Sequence, residues 1–138
     1  MTTGTDIVGT LLREDAAFTR TVPVGSIKAG ALPENVALPV ILLRTVSSTE
    51  RKPLKAQSVT RTTERVSASV RAGSYRDQVR IIRLIRDATV GKTGAIGGGQ
   101  SVAILHAGTG PDLRGPGNSF EQTIDLRVSF DATAGEDS

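Results

Sequence analysis

The chain has 138 residues, of which 38% are hydrophobic and only 3% aromatic, so Ile, Val, Leu and Ala must fill whatever core it builds. It contains no cysteine and a single histidine, His106, which excludes disulfide frameworks, thiolate zinc sites, cysteine nucleophiles and two-histidine metal motifs. Its 17 Lys and Arg against 14 Asp and Glu give a net charge of +3, too small an excess to argue by itself for nucleic-acid binding.

The N-terminal residues carry acids early and lack a basic stretch, so no signal peptide is expected. The first element reads as an amphipathic helix over about residues 5–18. Ile7, Val8, Leu11, Leu12 and Phe18 fall near helical spacing, with Asp6 suited to the first turn. A short strand is expected over 22–28, then a connection over 30–39 punctuated by Pro33 and Pro39. Val40, Ile41, Leu42 and Leu43 form a continuous apolar run, the pattern of a central strand covered on both faces. The apolar stretch 38–43 contains a proline and is too short to span a bilayer.

Residues 47–60 are polar and basic around Pro53 and read as a long loop or the splayed tip of a hairpin. From 61 to 72 the chain alternates: Val66, Ala68 and Val70 point one way, and Arg65, Ser67, Ser69 and Arg71 the other. Ser74 is placed to cap a second helix running to about Thr89, with Asp77 three residues on. Tyr75, Val79, Ile82, Ile85 and Ala88 are its expected buried stripe, and Arg76, Arg80, Arg83 and Asp87 line another face. A glycine-rich loop over 91–99 leads to a strand over 102–106, and a Gly/Pro loop over 108–117 precedes the last strand. There Ile124, Leu126, Val128 and Phe130 alternate with Thr123, Asp125, Arg127 and Ser129. Residues 132–138 read as a disordered acidic tail. The expected fold is α+β: one domain over residues 1–131, with a small, mostly antiparallel sheet and two helices packed on one face, in the order α-β-β-β-α-β-β.

Few residues offer chemistry. Gly91-Lys92-Thr93 superficially suggests a P-loop, but the position of that motif's first glycine is Arg86, and the triplet ends a helix instead of opening one. Gly97-Gly98-Gly99 lacks a dinucleotide fingerprint and reads as a loop that orders on contact. His106 has no carboxylate or nucleophile near it in sequence and reads as a structural strand-end residue. Asp125 reads as a cross-strand charge partner. No enzyme, cofactor or metal is expected.

The charges are uneven along the chain. Between Arg44 and Arg86 lie 11 of the 17 basic residues against three acids, Glu50, Glu64 and Asp77, so this region carries +8 and the remainder −5. Arg51, Lys52 and Lys55 in the polar loop and Arg76, Arg80 and Arg83 on the second helix are candidates for a basic surface. Such a surface would face an acidic protein neighbour or a DNA backbone, or it could be a solvated helix face and loop. Aromatics are not interleaved with these charges, so base stacking is not expected. Open sheet edges and several long loops suit a subunit that orders against neighbours in a ring.

The ordered pattern resembles the tail-completion, or tail terminator, family of long-tailed bacteriophages and gene transfer agents. It consists of the opening DIVGTLLREDAAFTRTV, then GSIKAG, the proline-flanked ALPENVALPVILLRTVSS, the passage RVSASVRAGSYRDQVRIIRLIRDAT and the terminal FEQTIDLRVSF. The resemblance implies a non-catalytic virion protein, assembled in the host cytoplasm, that forms a homo-oligomeric ring, typically hexameric. That ring would sit at the head-proximal end of the tail, stopping tube polymerisation and joining the head. Its implied partners are other copies of itself, the tail tube protein, the head connector or adaptor, and DNA passing through the lumen, with no membrane. The alternatives are a head-side adaptor or neck protein and a small sequence-non-specific nucleic-acid-binding domain.

Overall fold

A computed structural model describes residues 2–33, 36–51 and 59–133. The chain opens with α1 (Gly4–Glu14), where Thr3 and Asp6 form a reciprocal capping box: the Thr3 hydroxyl accepts from the Asp6 N–H and Asp6 accepts from the Thr3 N–H. The single expected helix is in fact two. Asp15 adopts an extended conformation, and its carboxylate accepts from the Phe18 N–H at 2.8 Å, so it ends α1 and starts α2 (Ala16–Thr21). The expected strand over 22–28 is a 3₁₀ turn (Val24–Ser26) followed by the short β1 (Ile27–Ala29).

Two long strands follow, β2 (Val40–Arg51) and β3 (Val59–Ala72), then α3 (Tyr75–Thr89). After α3 come β4 (Thr93–Ile96), β5 (Gly99–Thr109), the two-residue β6 (Leu113–Arg114) and β7 (Phe120–Thr133). The element order therefore departs from expectation: two helices precede the first strand, and four strands instead of two follow α3. The strands form one sheet in the order β1-β2-β3-β7-β5-β4, with β6 beside β7; β1 runs parallel to β2, and the other pairs are antiparallel. Residues 47–51 and 59–60, expected in the polar loop, extend the arms of the β2–β3 hairpin. Its tip, and residues 134–138 of the expected tail, lie outside the described residues.

The two alternating segments become the centre of the sheet. β3 and β7 pair along their whole length from Val59↔Thr133 to Ala72↔Phe120. Val66, Ala68 and Val70 meet Leu126, Ile124 and their neighbours on one face, where Ile7, Val8 and Leu12 of α1, Phe18 of α2, and Ile81 and Ile85 of α3 complete the core. All three helices thus lie against the same face.

α3 starts as expected, with the Ser74 hydroxyl accepting from the Asp77 N–H at 3.1 Å. Its buried stripe is rotated, however: Gln78, Ile81, Ile85, Ala88 and Thr89 are buried, Val79 and Ile82 are half-buried, and Tyr75 is 51% exposed. The reason is Gln78. Its amide nitrogen donates to Asp112 Oδ1 at 2.7 Å and to Gln122 Oε1 at 3.1 Å, which holds this polar side chain in the core, its Oε1 without a partner, and turns Tyr75 and Val79 outward.

The glycine-rich stretch is a tight hairpin, not a loop awaiting a partner. Ile96 pairs with Gly99 across Gly97 and Gly98, whose φ values of 56° and 90° suit the turn that matches strand twist. This turn lies on α1: a Cβ at Gly97 would stand 3.0 Å from Thr10 Oγ1 and 3.1 Å from Ile7 Cα. A second close approach fixes the start of α1, where the Gly4 N–H donates to Glu64 Oε1 at 2.6 Å, and the Ser48 hydroxyl donates to Glu64 Oε2 at 3.0 Å. The register shift between Thr45 and Ser47 is what sets Ser48 opposite Glu64.

Two stability outcomes follow from these contacts. Gly97→Ala places a Cβ at a left-handed position and is expected to cost about 1–2 kcal/mol, read as a lowered denaturation midpoint. Glu64→Ala leaves a buried N–H without an acceptor and is expected to cost about 1–3 kcal/mol, whereas Glu64→Gln, which keeps an acceptor oxygen, loses less.

Candidate functional site

Among the described residues the outer face of the sheet carries no helix, and it is largely polar, with Leu42 on β2 and the exposed Leu105 on β5 as apolar exceptions. Along β3 and β7 it reads as a ladder of matched pairs. Arg61 bonds Asp131 at 3.2 Å, the Thr63 and Ser129 hydroxyls share a bond of 3.0 Å, and Arg65 bonds Asp125 at 2.8 Å. The Ser69 and Thr123 hydroxyls meet at 2.9 Å, and Arg71 bonds Glu121. Asp125 is thus the cross-strand charge partner expected of it.

This ladder changes the meaning of the basic middle region. Arg61, Arg65 and Arg71 come from its +8 segment, and Asp131, Asp125 and Glu121 from the −5 remainder, so three of the eleven cations are neutralised by the strand next to them. The signal for this was present in the sequence. Arg61 and Arg71, ten residues apart on one strand, are mirrored by Asp131 and Glu121, ten apart on the other, as antiparallel pairing requires, while Arg65, opposite Arg127, reaches Asp125 diagonally.

The remaining candidates sit apart from the ladder and from one another. Arg76, Arg80 and Arg83 are exposed along α3. Together with Val79, Leu84 and Asp87 they line a shallow depression of about 380 Å³. Arg51 is exposed at the far end of β2, opposite Arg61 in register, while α3 begins beyond the other end of β3. Lys52 and Lys55 lie outside the described residues. The helix cations are therefore one surface and the end of β2 another.

His106 lies half-buried in β5 with Nε2 2.8 Å from the Thr109 hydroxyl, at the irregularity between His106 and Thr109 in the β5–β7 pairing. Gly91 follows the end of α3 with φ 85°, its N–H bonded to the Ile104 carbonyl, which is the helix-end role read for it. Among the described residues no group of three or more His, Cys, Asp or Glu could hold a metal ion, and no helix is long and apolar enough to cross a membrane. No spacing or motif signals the Gln78–Asp112–Gln122 network, in which Gln122 also donates to the Gly110 carbonyl at 2.9 Å.

The family model described as "Tail completion protein gp17" matches residues 8–133. The chain is therefore a structural protein of a phage-type virion tail. It belongs to the tail completion protein gp17 family. A chain of a solved structure described as "Virion of native gene transfer agent (GTA) particle" has the same fold, with a TM-score of 0.73 and 14% identity over 94% of this chain and 95% of that one. No curated protein matches.

The ladder's outer ion pairs are partly exposed, so each is expected to stabilise little. Arg65→Ala, at a side chain 45% exposed, should cost no more than about 1 kcal/mol in denaturant unfolding.

Proposed function

We propose that this chain is a tail terminator. Copies of it assemble into a homo-oligomeric ring, a hexamer, on the head-proximal end of the tail tube, where the ring stops tube polymerisation and presents the surface to which the head connector joins. The observation that carries this reading is the family match, which spans nearly every described element from the middle of α1 to the end of β7. The likeness to a chain of a gene transfer agent particle over nearly the full length of both supports it at the level of the fold. In this reading residues 1–131 act as one α+β domain, and the role is architectural.

The basic candidates divide into two contacts. Arg76, Arg80 and Arg83 form one, on the helix layer. Arg51, at the end of β2, with Lys52 and Lys55 after it in the sequence, form the other. Either could face an acidic partner ring or DNA in the lumen. A free-standing nucleic-acid binder is the weaker alternative, because pairing within the sheet removes Arg61, Arg65 and Arg71 from the cations a phosphate backbone could use. A head-side adaptor remains the competitor within the same class.

Electron microscopy of particles made without this chain tests the reading. Tubes of uncontrolled length lying free of filled heads are the expected result. Tails of normal length still attached to heads would refute it, and normal-length tails detached from filled heads would favour the adaptor.

A further inference from the structure

The outer face of α3 combines two features that a merely solvated helix does not need. Positions 76, 80 and 83 recur on one side of the helix over about 10 Å, at a rise of about 1.5 Å per residue. The half-buried Val79 and Leu84 lie on either flank of this row and give the depression an apolar floor beside the guanidiniums. Among the described residues none of the three arginines is in an ion pair, in contrast to Arg61, Arg65 and Arg71 on the sheet.

The floor discriminates between classes of partner. A phosphodiester backbone would use the cations but leave Val79 and Leu84 wet, and a single convex helix row meets few phosphates. A polypeptide with an apolar side chain flanked by carboxylates uses both, seating the side chain on the floor while its acids engage the rim.

The described acids of a second copy of this chain are poorly placed to meet these cations. Of its described acids, Glu121, Asp125 and Asp131 are held by β3 arginines, and Asp6 and Asp15 cap helices. Glu64 is buried beneath Gly4, and Asp112 accepts from Gln78. Apart from Asp77 and Asp87 on α3 itself, only Glu14 and Glu50 stand exposed and uncommitted, and they lie on different elements.

We infer that the outer face of α3 docks an acidic segment of a different polypeptide of the particle. One apolar side chain of that segment rests against Val79 on the flank of the row, and its carboxylates engage Arg76, Arg80 and Arg83. Asp87, at the C-terminal end of the depression, repels acids there and biases the partner's carboxylates toward Arg76 and Arg80. This inference rests on the tail-assembly reading above.

The test uses tails and heads isolated from particles made without this chain. The purified full chain is mixed with tails, with heads and with a short DNA duplex, and binding is read by co-sedimentation. Wild type is expected to sediment with tails or heads. The triple variant Arg76→Glu, Arg80→Glu, Arg83→Glu should bind about tenfold more weakly, since each reversed exposed charge contributes modestly. Val79→Ser should weaken binding several-fold, and the triple Arg→Lys variant should retain most of it, each variant keeping the wild-type circular dichroism and melting temperature. Undiminished binding by the triple Glu variant would overturn the inference alone. So would wild-type binding to the duplex that falls steeply with salt, is lost in the triple Glu variant and is untouched by Val79→Ser. Loss of self-association in the triple Glu variant would overturn it in favour of a second copy. Wild type that sediments with neither tails nor heads would instead refute the tail-assembly reading.

Discussion

The fold depends on the register of one strand pair. β3 and β7 are the longest strands and lie at the middle of the sheet, and every helix rests on the face they share. A slip of one residue would turn Val66, Ala68, Val70, Ile124, Leu126 and Val128 to solvent and bring arginines and acids under the helices. Burial alone does not forbid a slip of two. The outer face does, because Arg61 and Arg71 meet Asp131 and Glu121 only in the observed register; two residues away they would face Ser129 or Thr133, and Thr123 or Ser119. The two faces therefore specify the same alignment by different physics: area removed from water on one, and charge and hydroxyl matching on the other.

That alignment also sorts the arginines by role. Those on β3 are committed within the sheet, whereas those on α3 are in no ion pair among the described residues. Charge summed along the sequence cannot make this distinction, because the acids that answer β3 are some fifty to seventy residues away. For a protein that works by contact, the uncommitted cations are the informative ones.

Much of the framework was legible in the sequence. The period-two segments around Val66 and Ile124 are the central strands, Ser74 is the helix cap, and the run from Val40 opens β2. What escaped has local physical causes. Asp15 sits within an apolar periodicity that continues to Phe18, and only its carboxylate's bond to the Phe18 N–H breaks the helix there. Consecutive glycines are compatible with both a mobile loop and a tight turn, and the docking of Gly97 on α1 decides between them. α3 is rotated because a glutamine occupies a core position, which is acceptable only when distant residues supply its acceptors. Of the candidate surface, the helical row of arginines is visible from spacing, but the apolar residues flanking it are not, because periodicity alone places Val79 in the core.

Glu64 joins three segments that are remote in the chain: β3, which carries it; the first turn of α1, through Gly4; and the distal half of β2, through Ser48. Mechanically this is a load path. The β2–β3 arm extends past the part of β2 paired with β1, so a pull on it would be borne first by polar strands with little core beneath them. Through one carboxylate, tension along β2 reaches the helix layer before the strands must part. Such a joint would let a slender arm carry force without peeling away from the body that supports it.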